Sequence, residues 1–99
     1  MSRLADTVTK IRSKNAGPFW LTIDIFCGSP EVFKRVSGAL KTEQIISILQ
    51  ADATLLKRFD IEDLNVVKFS VPRPQIQGTR LDRDMHGASF AALLSDLDV

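Results

Sequence analysis

The chain has 99 residues, 44% of them hydrophobic and 25% charged, with 13 Lys and Arg against 12 Asp and Glu for a formal net charge of +1. This is the make-up of one folded domain over residues 1–99, and the near-neutral balance lacks the general basic excess that nucleic-acid binders set against phosphate. The single cysteine, Cys27, excludes an intrachain disulfide and a Cys-rich zinc site, and no stretch approaches the ~20 apolar residues that cross a bilayer.

Nucleic acid and membrane are therefore not expected as partners, although a local basic patch stays open. The first residues, Met1 to Asp6, lack the apolar run of a signal peptide, so the expected compartment is the cytoplasm.

Leu4, Val8 and Ile11 recur at helical spacing, with Ser2 as a cap and Lys10, Arg12 and Lys14 towards the negative end of the dipole. They predict an amphipathic helix over residues 3–12. Asn15-Ala16-Gly17-Pro18 breaks it, since Gly17 accepts positive φ and Pro18 cannot extend a helical ladder. In Leu21 to Phe26 the apolar Leu21, Ile23 and Ile25 alternate with Thr22 and Asp24, the pattern of a strand with one face in the core. Trp20, Thr22, Asp24 and Phe26 share its other, mixed face.

Ser29-Pro30-Glu31 opens a helix with a capping hydroxyl, a proline at the first position and an acid in the first turn; Gly38 is placed to end it. Thr42-Glu43-Gln44 opens another, largely buried through Ile45, Ile46, Ile48 and Leu49. Phe59 and Ile61 around Asp60, then Val67, Phe69 and Val71 around Lys68 and Ser70, predict two strands joined through Glu62 to Asn65. Pro72-Arg73-Pro74 ends the second, and residues 75–87 read as a polar loop. Leu93, Leu97 and Val99 suggest a C-terminal strand, with a helix from Ser89 to Leu94 as the alternative. The expected fold is α+β: a small mixed or antiparallel sheet of roughly four strands with three helices, mainly on one face.

Chemistry-bearing residues gather in three places. Arg12, Lys14 and Asn15 stand beside Trp20 and Asp24, and together offer a guanidinium fork, a point charge and an amide. A cation-complemented helix end, a turn and a core-anchoring Trp20 explain the same residues. Asp24 is either a carboxylate paired with Arg12 or Lys14 or a solvent-facing strand residue. The run Asp82, Arg83, Asp84, His86 places acids beside a histidine, as acid–base chemistry needs, but equally describes a surface loop of self-paired charges. It has no metal-ligand spacing, so no metal is expected. Arg73, held between two prolines, is presented from a stiff support, for binding or for capping a sheet edge. Cys27 precedes a helix start, where a thiol can be activated, yet a lone cysteine is more often a small buried hydrophobe. No catalytic signature and no cofactor motif is present in these patterns.

Three segments, Arg12 to Phe26, Asn65 to Pro74 and Asp82 to Ala88, resemble in order a family of small domains of unknown function associated with the acyclic terpene utilisation protein AtuA. The resemblance implies a detached C-terminal domain or accessory subunit beside a large AtuA-like partner, in breakdown of branched acyl compounds as acyl-CoA intermediates. It carries no catalytic residue. It directs attention to Arg12, Lys14, Asn15, Asp24, Lys68, Arg73, Asp82, Arg83, Asp84 and His86 as a shared ligand- or partner-binding surface. The alternative is a small homo-oligomer that acts alone on an anionic acyl ligand.

Overall fold

A computed structural model describes residues 3–17, 19–49, 53–72, 94–95 and 97–99. Four strands, β1 (Lys10–Asn15), β2 (Trp20–Phe26), β3 (Lys57–Ile61) and β4 (Val66–Pro72), form one antiparallel sheet in the order β1-β2-β4-β3. Three helices, α1 (Leu4–Thr7), α2 (Pro30–Ala39) and α3 (Thr42–Leu49), complete an α+β fold.

The N-terminal segment departs from its expected form. Helix α1 is a single turn, and its N-cap is Arg3, which makes no side-chain capping bond. The residues expected to continue it are strand β1, in full register with β2 from Lys10 opposite Phe26 to Asn15 opposite Leu21. A ten-residue helix is marginal by itself, whereas β2 offers this segment a complete ladder of hydrogen-bonding partners. The expected turn is present but joins two strands: the Ala16 N–H donates to the Trp20 carbonyl at 2.9 Å, and Gly17 sits at φ +84°. That positive φ is why the position suits glycine.

Helix α2 begins as its sequence dictates, with Ser29 Oγ accepting from the Val32 N–H at 3.3 Å and Pro30 in the first turn. It runs past Gly38 to Ala39, and the Leu40 N–H closes it onto the Val36 carbonyl. Strands β3 and β4 are joined by a 3₁₀ turn (Glu62–Leu64) and by Asn65 in the left-handed region at φ 53°. Since β4 is antiparallel to both β2 and β3, those two run parallel, and the α2–α3 connection crosses from one to the other past the place β4 fills.

The expected C-terminal strand is replaced by an isolated antiparallel bridge between Asp98 and Arg3, with the Leu4 N–H donating to the Leu97 carbonyl at 2.6 Å. The fourth strand of the sheet is therefore β1. Of the alternative terminal helix only Leu94 lies within the described residues, and it is helical together with Ser95. Residues 75–87 lie outside the description.

One face of the sheet makes the core. Leu21, Ile23 and Ile25 of β2 and Val67, Phe69 and Val71 of β4 pack with Phe33, Val36, Leu40, Ile45 and Leu49 from the helical side, joined by Leu4 and Leu94. Each fully buried large side chain there contributes on the order of 1.5–3 kcal/mol. Arg58 of β3 points to this same face, opposite Phe69 in register. Its guanidinium lies 5.6 Å from the Phe69 ring centre and donates to the carbonyls of Leu40 at 2.7 Å and Ser37 at 2.8 Å. Those acceptors belong to the C-terminal end of α2, which has no basic residue of its own in the last turn. An arginine from a neighbouring strand thus supplies the cationic cap that the helix lacks.

Candidate functional site

Strand periodicity decides where the polar side chains go. Along β1, Lys10, Arg12 and Lys14 are exposed, while Ile11, Ser13 and Asn15 are half-buried on the helix-covered side. The register then carries the exposed set across the sheet in rows. Arg12 stands opposite Asp24, Asp24 opposite Lys68, and Lys68 opposite Phe59. The next row runs Lys14, Thr22, Ser70, Lys57, and the row on the other side runs Lys10, Phe26, Val66, Ile61. Trp20 opposite Pro72 completes the face.

The described helices cover the opposite side and leave these rows as an open face with a strong charge bias, exposed along its rims at Lys10, Arg12, Lys14, Trp20, Lys57 and Phe59, half-buried at Asp24, Phe26, Lys68 and Ser70, and buried at Thr22 and Val66. Among the described residues, Lys10, Arg12, Lys14, Lys57 and Lys68 are set against the one carboxylate of Asp24. Asp24 lies one strand spacing from Arg12 on one side and from Lys68 on the other, about 4.8 Å between strands. The three are neighbours in register only; the ion pairs Arg3–Asp6 and Arg58–Asp60 lie elsewhere. Aromatic surface accompanies the cations: Trp20 is 36% exposed, Phe59 46%, and Phe19 at the tip of the β1–β2 hairpin 57%. In the middle of the face the Thr22 side chain is buried, and its hydroxyl has no hydrogen-bond partner.

Arg12, Asp24 and Lys68, singled out from separate stretches of sequence, are thereby brought into one row, with Lys14 in the next. Asn15 is separated from them. Adjacent residues of a strand point to opposite faces, so Asn15 accompanies Ser13 on the helix side while Lys14 faces out. Trp20 likewise lies on the open face rather than anchoring the core. Arg73, Asp82, Arg83, Asp84 and His86 lie outside the described residues. Lys10, Lys57, Ser70 and Phe59 belong to the face but escaped selection from sequence. The alternation of Lys10, Arg12 and Lys14 was the available signal for the first, and only the strand order reveals the others.

The cations of this face are suited by their chemistry to hold an anionic group. Arginine offers a planar fork to carboxylates, and lysines supply mobile point charges. Among the described residues no group of three or more His, Cys, Asp or Glu is placed to hold a metal ion. Cys27 lies behind the sheet, 3% exposed, its thiol facing the Ile25 carbonyl at 3.8 Å. Burial, and secondarily the negative charge of Asp60, push that thiol up. A protonated, buried thiol is a packing group rather than a nucleophile. Among the described residues no helix is long and apolar enough to cross a membrane.

An antiparallel sheet with helices on one side and a cationic, aromatic face on the other defines a small α+β domain. The chain belongs to the family described as a domain of unknown function (DUF4387), whose model matches residues 4–98. No curated protein and no solved structure matches it.

Proposed function

We propose that this domain is an accessory subunit, or a detached C-terminal domain, of a large AtuA-like protein in acyl catabolism, acting on acyl-CoA compounds in the cytoplasm. The open face of the sheet is its contact surface. The observation that carries this reading is the juxtaposition of Arg12, Asp24 and Lys68 in one row. The three come from two of the segments that resemble the AtuA-associated domains, and those segments supply the neighbouring strands β1, β2 and β4. A face that sets cations and exposed aromatic rings around a carboxylate suits the contact surface of an adaptor.

The test is co-expression with an AtuA-like protein, followed by co-purification in mild salt and an assay of the complex on acyl-CoA substrates. The expected result is a complex that forms in mild salt and whose activity falls when the small chain is withheld. A small chain that never associates and elutes from size exclusion as an active homo-oligomer would replace this reading with the stand-alone one, in which the same cations hold an anionic acyl ligand.

A further inference from the structure

We infer that the open sheet face is a docking site for an acidic protein surface, which it binds weakly and in a salt-dependent way; this rests on the adaptor reading and specifies its partner's chemistry. Charge distribution is the first argument. The chain's formal net charge is only +1, yet among the described residues this face holds five cations and one carboxylate. The remainder of the chain is therefore net negative. A molecule polarised in this way orients itself towards an acidic surface before contact.

The arrangement of the charges is the second. Lys10, Arg12 and Lys14 line one edge strand, Lys57 sits on the other, and Lys68 stands near the middle. Three strand spacings separate the edges and four residues separate Lys10 from Lys14, so the patch spans roughly 14 Å in each direction. That is small against the roughly 800 Å² per partner of a standard stable interface. The face alone therefore suits a transient complex. Its exposed Trp20 and Phe59 are the anchors around which the charges are set.

Other occupants fit less well. A second copy would bring the same excess of cations against itself. The chain's own 73–93 segment carries three arginines and two aspartates, so its charge does not complement the face either. Sheets that bind single-stranded nucleic acid stack bases on aromatics of the central strands. Here the two aromatics that central strand β2 puts on this face, Trp20 and Phe26, stand at its opposite ends with Thr22 and Asp24 between them, six residues or roughly 20 Å apart, too far to stack neighbouring bases.

Two measurements on the full chain test this. The first follows binding to the AtuA-like protein between about 50 and about 500 mM salt, for wild type and for Lys10→Glu, Lys14→Glu, Lys57→Glu combined. A control combines Lys34→Glu and Lys41→Glu on the helical side. Affinity should fall roughly tenfold or more with salt and again with the sheet-face reversals, and should hold in the control. Equal losses in both variants, or none, overturn the docking face while leaving the adaptor reading intact.

The second measurement does not need that partner. Backbone amide shifts of the labelled chain are followed during titration with poly-glutamate and with a single-stranded oligonucleotide of equal charge. Shifts at Lys10, Lys14, Lys57 and Trp20 with poly-glutamate, at an affinity no weaker than for the oligonucleotide, support the proposal even if the AtuA-like protein fails to bind. Tighter binding of the oligonucleotide, or shifts confined to other surfaces, would overturn it.

Discussion

The two faces of the sheet are made by the same four strands, residue by alternate residue, and solve opposite problems. On the helix side, Ile23, Ile25, Val67 and Phe69 are fully buried, and the one guanidinium among them, that of Arg58, is given carbonyl and carboxylate acceptors. On the open side, cations stand in rows beside exposed aromatic rings, and a buried hydroxyl is left without a partner. A group that holds the fold together has its hydrogen bonds completed within the chain.

Substitutions can break or sharpen this contrast. Phe69→Ala should cost the most, about 3–5 kcal/mol, because a fully buried ring leaves a cavity that its neighbours fill only in part. Urea denaturation measures it, and a loss below about 1 kcal/mol would erase the distinction between the faces. Next comes Arg58→Met, which keeps much of the apolar stem but removes the bonds to Leu40, Ser37 and Asp60. The expected loss is about 2–3 kcal/mol, from buried acceptors left unpaired. Arg58→Lys should recover only part of it, since an ammonium cannot reproduce the fork.

A smaller effect belongs to Asp60. Its burial works to raise its pKa, but hydrogen bonds from Arg58 and Ser37, with the Arg58 charge, outweigh that and hold it below its ordinary value. A carboxylate lowered in the folded state adds stability above its unfolded pKa of about 3.9, and that stability is lost as pH falls through the lower folded value. Being partly exposed, the group should contribute under about 1 kcal/mol. Urea midpoints at about pH 6 and about pH 3 should differ more in wild type than in Asp60→Asn. The least effect on stability is expected where the proposed contact lies. Lys10→Gln, Lys14→Gln and Lys57→Gln together should change unfolding by no more than about 0.5 kcal/mol, since exposed charges contribute little to the fold. A large loss there would make these lysines structural.

Strands β2 and β4 were legible because their alternation has no competitor: Leu21, Ile23, Ile25 and Val67, Phe69, Val71 fit a period of two and nothing else. Strand β1 was not. Leu4, Val8 and Ile11 satisfy a helical period while Lys10, Arg12 and Lys14 satisfy an extended one, and only the ladder to β2 decides between them. Arg58 was opaque for a different reason. Its acceptors are on a helix end some twenty positions earlier, a distance that no local pattern records. For the site, Arg12, Asp24 and Lys68 could be named from their segments, but their alignment follows from strand order, which sequence left open. Lys57 joined them only because β3 turned out to be the far edge.

The position of β4 has a consequence for how the chain is made. It is the last of the four strands to be synthesised, yet it pairs on both sides, with β2 and with β3. While residues 66–72 are still inside the ribosome, β2 has one unpaired edge, and Ile23 and Ile25 lack the apolar row that flanks them in the finished sheet. Such an edge invites pairing with a neighbouring chain. A nascent chain is therefore exposed to misassociation from the completion of β2 at Phe26 until β4, beginning at Val66, inserts with the β3–β4 hairpin and closes the sheet from within.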